Sequence, residues 1–400
     1  MKSYIIALLS MCVSVVGFSQ SASTQKNYLL MDVELQIESL EGLQALYNFD
    51  FATAQQNFST LKKKYPEHPI AYYLLGLMEW WKIVPNSDVK SYDEKLIAYM
   101  DSSIIFSKKM YDKDKHNIEA NFFLAAAYGL KGRIYSDRTD WRKAIVAGKN
   151  ALTYINNNRD IEDLGVEFLF GTALYNYYSV WVPEKYPIMK AIMIGMPAGD
   201  AELGINQLKD VAFNSFYTRV EAQTHLLSIY LDVEALDKVT DQEKETNNKF
   251  CLSLLRNLIK DYPNNPYFER IYAKCCFNLG YISEMTQASK DIIEKYDKKL
   301  PFYEDQSLRM ASFYLGFYHH NYTKNYVEAE KYLSLCVQVS ERIKAQKMGY
   351  YHYALLYLGQ EYKLKGDKHR AKEYFKKVKK YADRGDTAHK LADDELSKLK

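Results

Sequence analysis

Leu358-Gly359-Gln360-Glu361-Tyr362, then Gly366-Asp367, then Ala371-Lys372-Glu373-Tyr374-Phe375, is the stretch that decides the fold. It reads L-G-x-x-Y, a Gly-Asp turn, and A-x-x-x-F, the pattern of a helix–turn–helix unit of about 34 residues. The small residue lets two antiparallel helices come close. The large apolar residue four positions on lies on the same helix face and fills the gap between units.

The second half of the pattern recurs along the chain. Ala54, Phe58, Leu61 and Pro66 stand at offsets of 4, 7 and 12, and Cys251, Leu255, Leu258 and Pro263 repeat them. Ala371, Phe375 and Val378 repeat the first three positions, as do Ala329, Leu333 and Cys336. Gly204, Leu208 and Val211 form a weaker copy, and Ala144, Gly148 and Ala151 a copy built of small residues. The first-helix half appears as Leu75-Gly76, Phe170-Gly171, Leu315-Gly316 and Leu358-Gly359. A proline after the second helix ends it, because its ring and missing N–H cannot continue the hydrogen-bond ladder. Each helix pair leaves an apolar face that only the next pair can cover, so the pairs must stack into one continuous core.

These positions predict helix pairs at 27–66, 69–112, 117–157, 161–214, 218–263, 266–297, 304–345 and 348–382, with a Lys-, Asp- and Glu-rich capping helix at 386–399. No segment sustains period-two alternation, so no sheet is expected. The chain resembles the tetratricopeptide-repeat superfamily over nearly all of its length after the leader. That resemblance implies an all-α fold, a right-handed superhelical solenoid of about eight antiparallel helix pairs. A solenoid is a surface for holding something.

Lys2, the apolar run Tyr4–Val16 and the small-residue site Gly17-Phe18-Ser19-Gln20 read as a secretory signal over residues 1–19, with cleavage after Ser19. The run is too short for a stable transmembrane anchor. Cys12 does not make a lipoprotein site, since Met11 precedes it where a small residue is needed. The leader resembles those of exported Bacteroidetes proteins, which implies a periplasmic address. Residues 20–400 are expected to form one domain, with insertions near 82–92 and 178–199. No transmembrane helix is expected after the signal is removed.

Net charge is small, +3 over the whole chain, and the charges are scattered. Lys62-Lys63-Lys64, Lys376-Lys377 and Lys379-Lys380 sit where helices should end and complement the helix dipole there, so nucleic acid is not an expected partner. The 36 tyrosines suit surfaces that are half apolar and half wet, either wedged between helices or lining a groove. Cys251, Cys275, Cys276 and Cys336 fall on helices at packing positions and read as buried thiols more than as disulfides. No cysteine or histidine set has metal-ligand spacing, His319-His320 included. No nucleophile elbow or phosphate-cradling loop is present, and neither a cofactor nor an enzymatic activity is expected.

The segment Val180–Asp200, with three prolines and three methionines, interrupts the repeat with an apolar stretch. Such insertions are functional or serve to plug the inner curve of a solenoid, and methionine surfaces re-pack around varied partners. Trp80-Trp81-Lys82-Ile83-Val84-Pro85-Asn86 has the same character, and the two segments together would make one aromatic and methionine patch. Phe170-Gly171, Ser179, Pro183, Gly195, Gly199-Asp200, Gly204 and Leu208 also resemble the tetratricopeptide-39 family. That family's link to membranes does not transfer to a chain with an export signal, and no site residue is carried over from it.

The expected function is an exported, non-enzymatic scaffold that binds a protein or peptide, with an outer-membrane complex as one destination. The candidate contact residues are Trp80, Trp81, Trp181, Met189, Met193 and Met196, with Tyr351 and His352 beside them. The alternative is an envelope protein that binds a small molecule or glycan. An exposed planar aromatic shelf would favour sugar, and a long groove would favour peptide. Oligomeric state, curvature and the partner's identity are not legible in the residues.

Overall fold

The computed structural model describes residues 28–158, 165–187, 190, 193, 196–232 and 239–399. The leader and Met189 lie outside them. The described residues hold seventeen α-helices and no strand, and consecutive helices pack as antiparallel pairs. The first four pairs are Val33–Tyr47 (α1) with Phe51–Lys64 (α2), Pro69–Ile83 (α3) with Asp93–Lys113 (α4), Ile118–Asp137 (α5) with Trp141–Asn158 (α6), and Val166–Lys185 (α7) with Ala201–Asn214 (α8). The next four are Arg219–Tyr230 (α9) with Asp241–Asp261 (α10), Pro266–Asn278 (α11) with Ile282–Asp297 (α12), Asp305–Tyr318 (α13) with Tyr326–Arg342 (α14), and Gly349–Leu364 (α15) with Lys368–Tyr381 (α16). A last helix, Thr387–Lys398 (α17), lies on α15 and α16. The fold is a tetratricopeptide-like solenoid of eight pairs, at the boundaries the small–large–proline offsets predict. No described helix is long and apolar enough to cross a membrane.

Two local devices recur among the pairs. The first is the turn. Gly366 takes a left-handed φ of +80° and Asp367 then caps α16 by accepting the Arg370 N–H. The same left-handed residue followed by a capping side chain recurs as Phe49-Asp50 before α2 and Lys324-Asn325 before α14. Thr139-Asp140 repeats it before α6, where Asp140 accepts the Lys143 N–H at 3.3 Å. The short side chain satisfies one of the donors that every helix start leaves open.

The second device is close approach inside the pair. A Cβ added at Gly359 would stand 2.5 Å from Cε1 of Phe375, and one at Gly316 would stand 2.7 Å from the Leu333 side chain. The L-G of the first helix therefore receives the large residue of the second, Phe375 in one pair and Leu333 in another. Gly42 and Phe58 repeat the contact in the first pair. Ala54, Cys251, Ala329 and Ala371, the small residues of the second helices, are fully buried.

The solenoid also closes on itself. The segment from Tyr28 to Tyr47 lies across the N-terminal ends of α5, α7, α9 and α11. Leu30 N–H donates to Glu119 of α5 at 2.6 Å, and the Tyr28 ring meets Phe168 of α7 at 5.5 Å. Ser39 Oγ lies 3.2 Å from Tyr217 Oη, and Asn265 donates to the Tyr47 carbonyl at 2.8 Å. The centre of this seam is Glu221 of α9. Its Oε1 accepts from Trp81 Nε1 at 2.7 Å and from Tyr47 Oη at 3.1 Å. Trp81 is wholly enclosed, edge-on to Tyr47 at 5.3 Å and to Phe268 at 5.5 Å. The expected insertion near 82–92 is a bracket in this closure: Pro85 O accepts from Arg270, and Asn86 donates to Glu304 at 2.7 Å. First helices of early pairs thus face first helices of later pairs, so the first-helix side is the inner face.

Burial raises the Glu221 carboxyl to about 7 from its ordinary 4.5, against the opposing pull of the Trp81 and Tyr47 hydrogen bonds.

Two outcomes are expected. Gly359→Ala should lower stability by about 1–3 kcal/mol in urea melts, because overpacking outweighs the roughly 1 kcal/mol that Ala gains in a helix. Adding Phe375→Leu should restore part of the loss, whereas an unchanged or raised melting point in Gly359→Ala would remove the close-approach account. For Glu221, the folded chain holds a proton between pH 4.5 and 7 that the unfolded chain releases. Stability from this group is therefore full below 4.5 and declines as pH rises to 7, by no more than about 3 kcal/mol. Glu221→Gln should flatten that part of the pH profile in thermal melts. An equal slope in wild type and variant would show that Glu221 does not govern the seam.

Candidate functional site

Each first helix presents one stripe to the inner face, with positions three or four apart lying above one another. In α5 the stripe carries Arg133, in α7 Tyr178 and Trp181, and in α9 Glu221 and His225. In α11 it carries Tyr267, Arg270 and Phe277, in α13 Arg309, Phe313 and Phe317, and in α15 Tyr350 and Tyr357.

The first half of this face is sealed by the α1 and α3 side chains at the Glu221 seam. Beside the seam, Tyr178 Oη lies 3.1 Å from Nδ1 of His225. Burial first, and Arg133 second, press the imidazole down to about 4, so it stays neutral at physiological pH. Burial raises the Tyr178 phenol to about 12. A neutral phenol and a neutral imidazole can donate to and accept from a ligand, but neither is poised to move a proton near pH 7.

The second half is aromatic and partly exposed. Phe277 meets Phe317 at 5.0 Å, Phe317 meets Tyr357 at 6.0 Å, and Phe313 meets Tyr350 at 5.2 Å. Tyr322, on the π-helical turn that follows α13, extends the strip by meeting Phe317 at 6.0 Å and is 54% exposed. Phe277 also borders a hollow of about 810 Å³ edged by Lys244, Asn248 and Tyr281. The strip thus runs across three successive first helices.

The residues singled out from sequence separate into distinct groups. Trp80 is half-buried, with the Arg133 guanidinium 5.8 Å from its ring. Trp181 is half-buried, edge-on to Tyr178 at 5.8 Å, with the Lys185 ammonium 4.7 Å from its ring. Arg133 links the two regions, since its charge also acts on Tyr178. Met193 and Met196 are half-buried, and the Met196 N–H donates to the Met193 carbonyl at 3.0 Å. The insertion ends docked on α7: Tyr175 Oη donates to the Pro197 carbonyl, and Gly199 sits against the α7 backbone at Asn176.

Three of the expected contact residues are corrected. Trp81 belongs to the seam and offers no surface. Tyr351 is buried, with Oη donating to Glu341 at 2.8 Å, and His352 is buried, with Nε2 2.9 Å from the Gln346 carbonyl. They lie on the core side of α15 with Leu355 and Leu358, while Tyr350 and Tyr357 take the inner face. The open strip was missed, although Phe313 and Phe317, four apart beside a core stripe, carried its signal.

Among the described residues no group of three or more His, Cys, Asp or Glu is placed to hold a metal. His320 Nδ1 lies 3.0 Å from Glu361 and His319 Nδ1 lies 3.1 Å from Thr323 Oγ1, both local ties. The four cysteines among the described residues are buried thiols, and burial pushes them well above their ordinary range, Cys276 to about 11 and Cys336 to about 12, where they are unreactive.

No family model matches the chain, and no curated protein matches it; the likeness to the tetratricopeptide-39 family finds no support there. Solved structures similar to it include the human IFIT1 dimer with PPP-AAAA, at 12% identity and a TM-score of 0.45, covering 83% of this chain and 69% of that one. The human IFIT1 dimer with m7Gppp-AAAA is similar at 13% identity and a TM-score of 0.43, covering 83% and 67%. Yeast Tom70 is similar at 14% identity and a TM-score of 0.35, covering 90% and 80%.

Proposed function

We propose that this chain is an exported, non-enzymatic scaffold that holds a protein or peptide partner against the open half of its inner face. The observation that carries the proposal is the strip formed by Phe277, Phe317, Tyr357 and Tyr322. Rings of this kind supply large apolar contact area at low entropic cost. First helices stand about 10 Å apart in such stacks, so three of them offer about 20 Å of contact, the length of roughly six extended residues or of three to four helical turns.

The tilt of the rings favours a peptide over a sugar. Phe277 and Phe317 are inclined at 77° to each other, and Phe317 and Tyr357 at 59°. Such rings form notches that accept side chains, whereas a sugar stacks best on a flat platform. The export and periplasmic address rest on the leader, residues 1–19, and that address would place the chain within reach of an outer-membrane complex.

The test is a pull-down from envelope extract with the mature chain, with Phe317→Ala/Tyr322→Ala, and with Trp181→Ala/Met193→Ala. One dominant protein, retained at least tenfold less by the Phe317/Tyr322 variant whose circular dichroism and melting point match wild type, is the expected result. Loss confined to the Trp181/Met193 variant would move the contact to the insertion. Absence of any captured protein, or capture indifferent to both variants, would overturn the proposal.

A further inference from the structure

Arg309 stands out among the charged groups of the inner face. Only 6% of its surface is exposed, and neither its Nε nor its Nη1 has a hydrogen-bond partner. Its guanidinium carbon lies 5.5 Å from the Tyr350 ring. A guanidinium cannot shed its proton to escape burial, and an enclosed unpaired charge is among the costliest features a fold can carry.

Among the described residues no carboxylate pairs with Arg309. On its own helix, Asp305 is taken by Arg342, which donates to both carboxylate oxygens at 2.6 and 2.7 Å. Glu304, just before that helix, accepts from Asn86. From α14 the neighbour is Cys336, a neutral thiol, and from α15 it is Tyr350, whose hydroxyl lies 3.0 Å from Tyr314 Oη. From α11 the neighbour is a second cation: Arg270 is close enough for the two like charges to oppose each other, and one of its nitrogens donates to the Pro85 carbonyl. The Glu304 charge acts on Arg270, which leaves Arg309 as the guanidinium without a counter-charge.

We infer that Arg309 forms a seat for one oxyanion, a carboxylate or a phosphate, supplied from outside the chain. The Arg309 Nε and Nη1 are donors without a partner, of the charged kind that makes strong hydrogen bonds to such anions, and Tyr350 walls one side. The seat needs no partner protein, so it stands or falls separately from the scaffold proposal. A free ion and the acidic group of a larger ligand present the same chemistry to it.

The test is calorimetric titration of the full chain with inorganic phosphate and, separately, with acetate, in chloride buffer at fixed ionic strength. The expected result is saturable one-to-one binding of at least one of them, with Kd at or below about 1 mM. Phosphate alone points to a phosphate ion or phosphoryl group, and acetate points to a carboxylate. Arg309→Met should weaken the binding at least tenfold, yet in chloride alone it should melt no lower than wild type, because it removes an unpaired buried charge. Arg309→Lys keeps the charge but loses the planar guanidinium donors, and should also bind more weakly. The inference is overturned if neither anion saturates, or if Arg309→Met binds as wild type does. If Arg309→Met does not fold, wild-type affinity in Arg309→Lys overturns it equally.

Discussion

The contact on which this architecture rests is the insertion of a large side chain of a second helix against a glycine of the first, repeated at Gly42, Gly76, Gly316 and Gly359. Where Phe375 lies over Gly359, or Leu333 over Gly316, no side chain keeps the two axes apart. That proximity fixes the register of the pair, and the register decides which residues turn outward toward the next pair. The stripe of exposed apolar groups on each pair is therefore a consequence of a spacing set inside it. Eight repetitions carry the chain far enough round for its beginning to meet its middle.

That dependence explains what the sequence disclosed. The small–large offset and the Gly-Asp turn are local, so the eight pairs could be placed from residue spacing alone. The turns at Phe49-Asp50, Thr139-Asp140 and Lys324-Asn325 were harder to see, because a left-handed residue other than glycine carries no compositional mark. What spacing could not convey was which aromatic of a neighbouring pair faces inward. Trp80 and Trp81, like Tyr350 and Tyr351, are adjacent, and about 100° of helix rotation separates core from inner face. Trp81 was therefore read as surface when it lies at the most enclosed point of the chain. Its partner Glu221 is 140 residues away, and no short-range pattern points to it.

The inner face is divided by the same closure. Near Glu221 it is filled by the protein itself, and polar groups there hold one another. Beyond the bridge from Asn86 to Glu304, rings from α11, α13 and α15 are left partly bare. A uniform solenoid would offer a groove along its whole length. This one concentrates its available surface in the last three pairs and spends the first five on rigidity.

The seam also orders events in the life of the chain. Joining Tyr47 to Glu221 closes a loop of 174 residues, which costs about 4.6 kcal/mol of chain entropy before any contact offsets it. Helix pairs form from neighbours in sequence, but this junction waits for a distant strand of synthesis. As the polypeptide emerges, Tyr47 and Trp81 are made long before the carboxylate that receives them. Until the fifth pair exists, an indole and a phenol that end up enclosed stay uncovered, and this interval is when the nascent chain is most prone to stick to others or to need a chaperone.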